Sequence, residues 1–108
     1  MQDWQESKGE EMERKELEQA AAAGDAEAQS RLANMYFNGQ GVAQDHALAH
    51  EWCLRAAEQG HADAQFLLGI MYELGLGVER NLEESGKWIE KAAAQGQEQA
   101  VLRLRLGI

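Results

Sequence analysis

Proline is absent from this chain, and cysteine occurs only once. Without proline, no residue interrupts a helix by removing a backbone N–H, so helices are permitted throughout the sequence. A single cysteine, Cys53, makes an intrachain disulfide impossible, and nothing in the composition indicates an oxidising compartment. We therefore expect Cys53 to be a buried structural thiol.

Basic residues are scarce: 10 Lys and Arg stand against 19 Asp and Glu, which leaves a formal net charge of −9. Binding of nucleic acid needs a surplus of cations that displace counterions from phosphate, so we expect no nucleic-acid partner. A basic protein surface would be attracted instead. The alternative is that the acidity only keeps the protein in solution.

Long apolar runs are also lacking. The longest, residues 66–72, is far shorter than the roughly 20 residues that a helix needs to cross a bilayer. The first residues contain no basic region followed by an apolar one, so no export signal is visible. We expect no membrane insertion and a cytoplasmic location, or a periplasmic one if a signal segment has been removed.

The chain does contain an internal repeat. A shift of 36 positions lays residues 24–59 on residues 60–95, and fourteen positions are then identical. A shuffled chain of this composition would give roughly three. The identical positions are Gly24, Ala26, Ala28, Gln29, Leu32, Met35, Tyr36, Gly39, Gly41, Val42, Trp52, Ala56, Ala57 and Gln59. Periods of this length are typical of solenoids.

Each repeat predicts two helices. An apolar stripe at i, i+4, i+7 and i+8 begins at Ala28 and recurs from Ala64, which places first helices at 25–38 and 61–74. Asp45 and Asn81 are suitable N-caps for second helices that run to about residues 59 and 95.

Glycine marks the ends of the helices. Gly24, Gly60 and Gly96 should each close one, because glycine adopts the left-handed conformation of a helix end without a steric penalty. His61, directly after Gly60, is expected to start a helix in solvent.

The two ends of the chain should differ from the repeats. Residues 1–8 are expected to be flexible, and residues 9–23 to form a capping helix in which Glu13 and Glu16 replace core residues. Residues 96–108 form a partial third repeat. Their Leu-Arg alternation could indicate a strand, but the period predicts a helix. Arg105, in place of Ala33 and Gly69, indicates that the array ends there.

The predicted fold is thus all-α: a short right-handed α/α superhelix, or solenoid, of helix-turn-helix repeats with a period of 36. Its parts are a flexible segment 1–8, a capping helix 9–23, repeats at 24–59 and 60–95, and the partial repeat 96–108.

This pattern resembles the Sel-one-like repeat family, a relative of tetratricopeptide repeats with a longer period. The positions that carry the resemblance are Ala64, Leu68, Gly69, Tyr72, Gly75, Gly77, Val78, Trp88, Ala92, Ala93 and Gly96. The first repeat matches nearly as well, although Ala33, Leu48 and Cys53 depart from the family pattern. The resemblance implies adaptor or scaffold work in protein complexes, and it implies no shared catalytic residue.

By analogy with tetratricopeptide grooves, the resemblance places a partner-binding concave face on the first helices. The residues expected there are Glu27, Ser30, Asn34, Phe37, Asp63, Phe66, Ile70 and Glu73, followed by Gln99, Leu102 and Leu106. Most of these positions differ between the repeats, which is typical of a surface adapted to one ligand. Phe37, Phe66 and Ile70 would anchor a peptide or helix of the partner. Alternatively, Phe66 and Ile70 only complete the packing between first helices.

Other functions remain as alternatives. His46, His50 and Cys53 lie at i, i+4 and i+7, a spacing that could hold zinc, but no fourth ligand is evident. No catalytic arrangement stands out, although some secreted relatives have been linked to β-lactams. We expect no enzyme activity and no cofactor.

Two further binding roles stay open. An acidic, self-contained protein of this size could be an inhibitor or immunity protein that neutralises a bacterial toxin or enzyme. The last helix could also mediate self-association, because Val101, Leu102, Leu104 and Leu106 are expected to be partly exposed.

Overall fold

The computed structural model describes residues 13–107, which form six helices and contain no strand. Helix α1 covers residues 13–22. It is followed by α2 (Ala26–Asn38), α3 (His46–Glu58), α4 (Ala62–Leu74), α5 (Leu82–Ala94) and α6 (Glu98–Leu106). The all-α solenoid fold is confirmed, and the last segment is the helix that the period predicted. The expected flexibility of residues 1–8 and the start of a helix near Gly9 lie outside the described residues.

The helices pack in chain order. Helix α2 lies on α3, α3 on α4, α4 on α5, and α5 on α6, with a smaller contact between α2 and α4. The molecule is elongated, with extents of 50 × 22 × 22 Å. Contacts that link only neighbouring units are the defining property of a solenoid, in which each helix pair is covered by the next.

The core is accordingly divided into three clusters along the long axis. The first is formed by Ala21, Ala28 and Leu32. The central cluster is the largest and contains Ala33, Ala49, Cys53, Ala56, Ala57, Ala64, Leu68 and Met71. The third consists of Ile89, Ala92 and Ala100. Trp52 packs against both the first and the central cluster, so its ring joins neighbouring units.

Alanine and glycine are frequent in these clusters because the helix backbones approach closely. A Cβ atom built on Gly69 of α4 would lie 2.5 Å from Cγ1 of Ile89 in α5, which is closer than real Cβ atoms come. The same position in the first repeat is Ala33, opposite the smaller Cys53. The small residue on one helix thus accommodates the larger side chain on the other.

Side chains cap the helices as the sequence indicated. Asp45 accepts a hydrogen bond from the Leu48 amide, and Asn81 accepts one from the Glu84 amide. Gly24, Gly60 and Gly96 all have positive φ angles, between 83° and 104°, as expected for residues that close a helix.

His61 departs from its expected role as a solvent-exposed residue. Its side chain is only 17% exposed. The ring atom Nδ1 accepts from the Ala64 amide and so caps α4, while Nε2 lies 2.7 Å from a carboxylate oxygen of Glu27 in α2. Asp25 and Gln97 cap α2 and α6 at the equivalent positions. His61 therefore belongs to a periodic structural position.

Buried glutamines tie each second helix to the following repeat. Gln29 is 4% exposed, and its amide donates to the carbonyl oxygen of Ala21, near the end of α1. Gln59 donates to the carbonyl of Gly24 and to the side-chain oxygen of Gln29, both at 2.9 Å. Carbonyls at a helix end have no partner within the helix, so the next repeat supplies one.

The same network recurs 36 residues later. Gln65 donates to the Ala57 carbonyl, and Gln95 donates to the Gly60 carbonyl and to Gln65. Its recurrence explains why glutamine is identical at these positions in both repeats. One amide side chain, that of Gln29 or of Gln65, can be buried at each junction because it finds polar partners there.

We predict that Gln65→Leu lowers the free energy of unfolding by about 1–3 kcal/mol, because the Gln95 amide loses its side-chain acceptor. Gln29→Leu should have a similar effect. Gln19→Leu, at an exposed position of α1, is the control and should change stability by less than about 0.5 kcal/mol. Urea unfolding followed by circular dichroism measures all three. A Gln65→Leu protein as stable as the wild type would show that the network adds nothing.

Cys53 is fully buried, as expected, and its thiol donates to the carbonyl oxygen of Ala64 at 3.1 Å. Burial disfavours the thiolate and raises the pKa of Cys53 from 9.0 to about 12. The unfolded chain ionises this thiol at the lower pH. The folded state is therefore stabilised by the neutral thiol below pH 9, and this contribution is lost as the pH rises from 9 towards 12.

We predict that Cys53 does not react with an aromatic disulfide reagent at pH 8 while the protein is folded, because the thiol is both inaccessible and protonated. Reaction should follow the rate of unfolding. A matched control carries Cys53→Ala and Ala22→Cys, which places the thiol at an exposed site on α1 and should react immediately. Rapid labelling of native Cys53 would contradict its burial.

Candidate functional site

One exposed stripe runs along each first helix. On α2 it consists of Glu27, Arg31, Asn34 and Asn38, and on α4 of Asp63, Leu67, Ile70 and Leu74. The spacing i, i+4, i+7 and i+11 keeps these side chains on one side of the helix. We call these residues, with their equivalents Gln99, Arg103 and Leu106 on α6, the first-helix stripe. Leu67 and Ile70 are half-buried against the central and the third cluster, whereas the other stripe residues of α2 and α4 are exposed.

The residues predicted as a concave face only partly coincide with this stripe. Glu27 and Asn34 belong to it and are exposed. Ser30 is only 4% exposed, so its side chain does not reach the surface, and the expectation is corrected for this residue. Phe37 is half-buried, packs against the central cluster, and has its ring 5.0 Å from that of His46. Ser30 and Phe37 each precede a stripe residue by one position. Their side chains therefore lie on the adjoining part of the helix surface, which faces the next repeat.

The second repeat shows the same displacement. Asp63 and Ile70 belong to the stripe, whereas Phe66 and Glu73 turn towards α6. Phe66 and Ile70 pack against the third cluster, formed by residues of α5 and α6. Their packing between neighbouring helices, which the sequence left as an alternative, is present in the structure. Both nevertheless remain partly accessible.

Glu73 forms an ion pair with α6. Its carboxylate lies 2.6 Å from Nη2 of Arg103. Both side chains are about one third exposed or less, and Arg103 Nε is buried without a partner. In the preceding junction the equivalent residues are Phe37 and Leu67, which both pack against the central cluster. The ion pair therefore takes a place that an apolar contact fills between the earlier first helices.

Two carboxylates of the stripe are held in place by the next repeat. Glu27 contacts His61, as described above, and Asp63 accepts a hydrogen bond from the Gln97 amide at 3.1 Å. Both acceptors sit in the first turn of a first helix, and both partners are the N-cap of the following one. The carboxylate of Glu27 is still 70% exposed, so it remains accessible to a basic group.

Sequence reasoning missed Arg31, Asn38, Leu67 and Leu74 as surface residues of the first helices. The available signal was the complement of the apolar stripe: the positions on the far side from Ala28, Leu32 and Met35 are those that solvent reaches. The analogy with tetratricopeptide repeats instead assigned the binding surface to positions that face the neighbouring helix.

An open groove of about 1110 Å³ lies between α1 and α2. Apolar atoms of Leu17, Ala20 and Met35 line its floor. Its charged lining comprises the carboxylates Glu13, Glu16, Asp25 and Glu27 and the cations Arg14 and Arg31. Negative charge therefore predominates. We call this the α1/α2 groove.

The last helix, α6, exposes three leucines. Leu102, Leu104 and Leu106 are 54%, 50% and 60% exposed, and Gln99 is also exposed. Leu104 occupies the position of Leu32 and Leu68, which are both 0% exposed. The difference arises because, within the described residues, α5 covers α6 from one side and no second helix follows α6 to cover the other.

The three potential zinc ligands on α3 turn to different neighbours. The His46 ring lies beside Phe37, the His50 ring meets the edge of Tyr72 at a centroid distance of 5.6 Å, and the Cys53 thiol is bonded to Ala64. Burial also lowers the pKa of His50, against the weaker effect of Glu51. Between residues 13 and 107, no three His, Cys, Asp or Glu side chains are grouped as a metal site would need.

Comparisons with known proteins agree with this architecture. The family model described as Sel1 repeat matches residues 26–61 and 62–97, so the matches start 36 positions apart. A comparison with curated proteins finds no significant match. In the described part of the chain, no helix is long and apolar enough to span a bilayer.

Three solved structures illustrate the similarity. A Sel1 repeat protein from Oxalobacter formigenes is 45% identical with a TM-score of 0.80, covering 82% of this chain and 67% of that one. A protective antigen with an SLR fold from uropathogenic Escherichia coli strains is 39% identical with a TM-score of 0.76, over 81% of this chain and 19% of that one. Cysteine-rich protein B of Helicobacter pylori is 26% identical with a TM-score of 0.80, over 85% and 69%.

The period, the capped helix pairs and these matches agree on one assignment. The chain belongs to the Sel1 repeat family, whose repeats generally serve in protein–protein interactions.

Proposed function

We propose that this protein binds a segment of another protein along the first-helix stripe. The observation that carries the proposal is a contrast between two faces of the same helices. The buried face is identical in both repeats at Ala28, Leu32, Met35 and Tyr36. The exposed stripe differs at every position. A face that only meets solvent needs no large apolar residue, yet α4 exposes Leu74 there and leaves Leu67 and Ile70 partly accessible.

The chemistry of the stripe changes along the molecule. On α2 it is polar, with Arg31, Asn34 and Asn38, whereas on α4 the equivalent residues are Leu67, Ile70 and Leu74. Leu74 is 60% exposed. A partner segment that fits this surface places apolar side chains against α4 and polar ones against α2, as an amphipathic helix or an extended peptide can do.

Charge favours a basic partner. The protein carries a net charge of −9, and the carboxylates of Glu27 and Asp63 lie on the stripe at the start of each first helix. Their hydrogen bonds to the following repeat orient them before a ligand arrives, which reduces the entropy lost on binding. Lysine or arginine in the partner would meet these oxygens, and the association rate would fall with added salt.

We predict that Asn38→Arg with Leu74→Arg abolishes capture of the partner from an extract of the source cells. Both residues are exposed, so the fold should survive, while the added bulk and charge oppose an apolar, basic ligand. The matched control is Ala47→Arg with Leu82→Arg, two exposed sites on second helices with the same change in charge. With the purified partner, calorimetry should show binding weakened at least about tenfold for the stripe variant alone.

Equal loss of binding in both variants would show that the added positive charge, and not its position, weakens binding. Unchanged binding in the stripe variant would contradict the proposal.

The nature of the partner distinguishes the adaptor from an inhibitor. A short segment that binds in isolation supports an adaptor. A folded toxin or enzyme that is inactivated at nanomolar concentration supports an inhibitor or immunity protein.

A further inference from the structure

The described solenoid begins with a second helix, α1, and ends with a first helix, α6. Each of these end helices lacks the neighbour that its equivalents have inside the molecule. Helix α2 packs on α3 and α4, and α4 packs on α5. Side chains of α4 also contact α6, through the third cluster and the Glu73–Arg103 ion pair. Among residues 13–107 no helix pair follows α6, and no first helix precedes α1, so the described residues leave the α1/α2 groove open on that side.

We propose that α6 of one copy seats in the α1/α2 groove of a second copy, which continues the solenoid head to tail. In this arrangement α6 packs on the α1 and α2 of the second copy as α4 packs on α5 and α6. The order of helix types is preserved across the contact, because a first helix is followed by a second and then by another first. This association goes beyond the proposed binding of a partner segment and does not depend on it.

The contacts expected between the two copies can be inferred from the internal junction between α4, α5 and α6. Phe66 and Ile70 of α4 pack against a cluster that contains Ala100 of α6. Their equivalents on α6 are Leu102 and Leu106, and the equivalent of Ala100 is Ala28, which lines the groove. The two exposed leucines thus meet a small residue at the groove, as their counterparts do inside the chain.

Leu104 is the third exposed leucine of α6. Its equivalent Leu68 is fully buried in the central cluster, which contains residues of α3 and against which Trp88 of α5 packs. The counterpart of α3 for α6 is α5 of the same copy, whereas the counterpart of α5 is α1 of the second copy. There Glu16 stands in place of Trp88, and the groove offers the apolar atoms of Leu17 and Ala20. Seating α6 there would cover a side chain that is 50% exposed in the single copy. Burial of this leucine and its two neighbours supplies the hydrophobic contribution to association.

Arg105 would bring a positive charge to the contact between the copies. It replaces Gly69, whose Cβ position is crowded by Ile89 and by the Ser85 carbonyl. The equivalents of Ile89 and Ser85 on α1 are Leu17 and Glu13. Arg105 therefore stands opposite a carboxylate instead of a packed side chain. Its bulk keeps α6 further from α1 than α4 is from α5, and an ion pair replaces the close backbone contact.

The charge of the groove agrees with this. The groove has four lining carboxylates against two arginines, and Arg105 is the cation that α6 would bring to it, because Arg103 is already paired with Glu73. The chain's own first twelve residues are a poorer occupant on this ground, because Asp3, Glu6, Glu10 and Glu11 outnumber Lys8. Such residues would be repelled by the groove, while α6 of a second copy is attracted.

The test is the molar mass of the purified full chain, measured by sedimentation over a wide concentration range. A head-to-tail contact joins two different surfaces and need not close, so the mass should rise past that of a dimer as concentration increases. The tail variant, Leu102→Glu with Leu106→Glu, removes the apolar face of α6. The groove variant, Ala20→Arg, fills the groove with a side chain that also repels Arg105.

Each variant alone should associate at least about tenfold more weakly than the wild type. An equimolar mixture of the two should form a 1:1 dimer and nothing larger, since one copy keeps its groove and the other its α6. This recovery also shows that both variants are folded. The controls, Ala22→Arg on the exposed side of α1 and Leu74→Glu with Leu82→Glu, should associate like the wild type.

Exchanging the charges of Arg105 and Glu13 provides a second test of the contact. Arg105→Glu should weaken association, and Glu13→Arg in the same chain should restore it. The proposal is overturned if the wild type stays monomeric at every concentration, which would mean that the groove is filled within one copy or left open. It is equally overturned if Ala20→Arg associates normally or the mixture does not recover, which would indicate that two α6 helices meet each other.

Discussion

No helix in this protein can cover its apolar side within its own repeat, and the rest of the structure depends on this constraint. Leu32 and Leu68 are fully buried because a second helix and a neighbouring repeat both lie against them. Leu104, at the same position on α6, is half exposed because, within the described residues, α5 lies against α6 but no second helix follows it. Stability is therefore located at the junctions between units, and the ends of the array carry uncovered surface.

The junctions also impose polar requirements. The carbonyl groups of Ala21 and Ala57, near the ends of α1 and α3, lie at these junctions and need partners. Gln29 and Gln65 supply these partners, and each is itself bonded to a second glutamine. Such a network allows little variation in its residues, which is why both repeats share it. The outer side of the first helices carries no such requirement, and its residues are free to be shaped by a ligand.

The period and the positions of Asp45 and Asn81 were sufficient to predict the helices, their caps and the solenoid, because spacing along a helix determines which residues share a face. The same spacing does not determine the angle at which neighbouring helices meet. Ser30 and Phe37 were therefore placed in a groove, although crossing of the first helices turns them towards the next repeat. The role of His61 could not be predicted either, since its ring acts through contacts with Glu27, which is distant in sequence.

Amide hydrogen exchange in dilute solution, resolved by helix, tests most directly whether stability resides in the junctions. We expect the slowest exchange in α3 and α4, which lie at the centre of the array, faster exchange in α2 and α5, which each adjoin an end helix, and the fastest exchange in the end helices α1 and α6. Equal protection of all six helices would show that the molecule unfolds as a single cooperative block and would contradict the account.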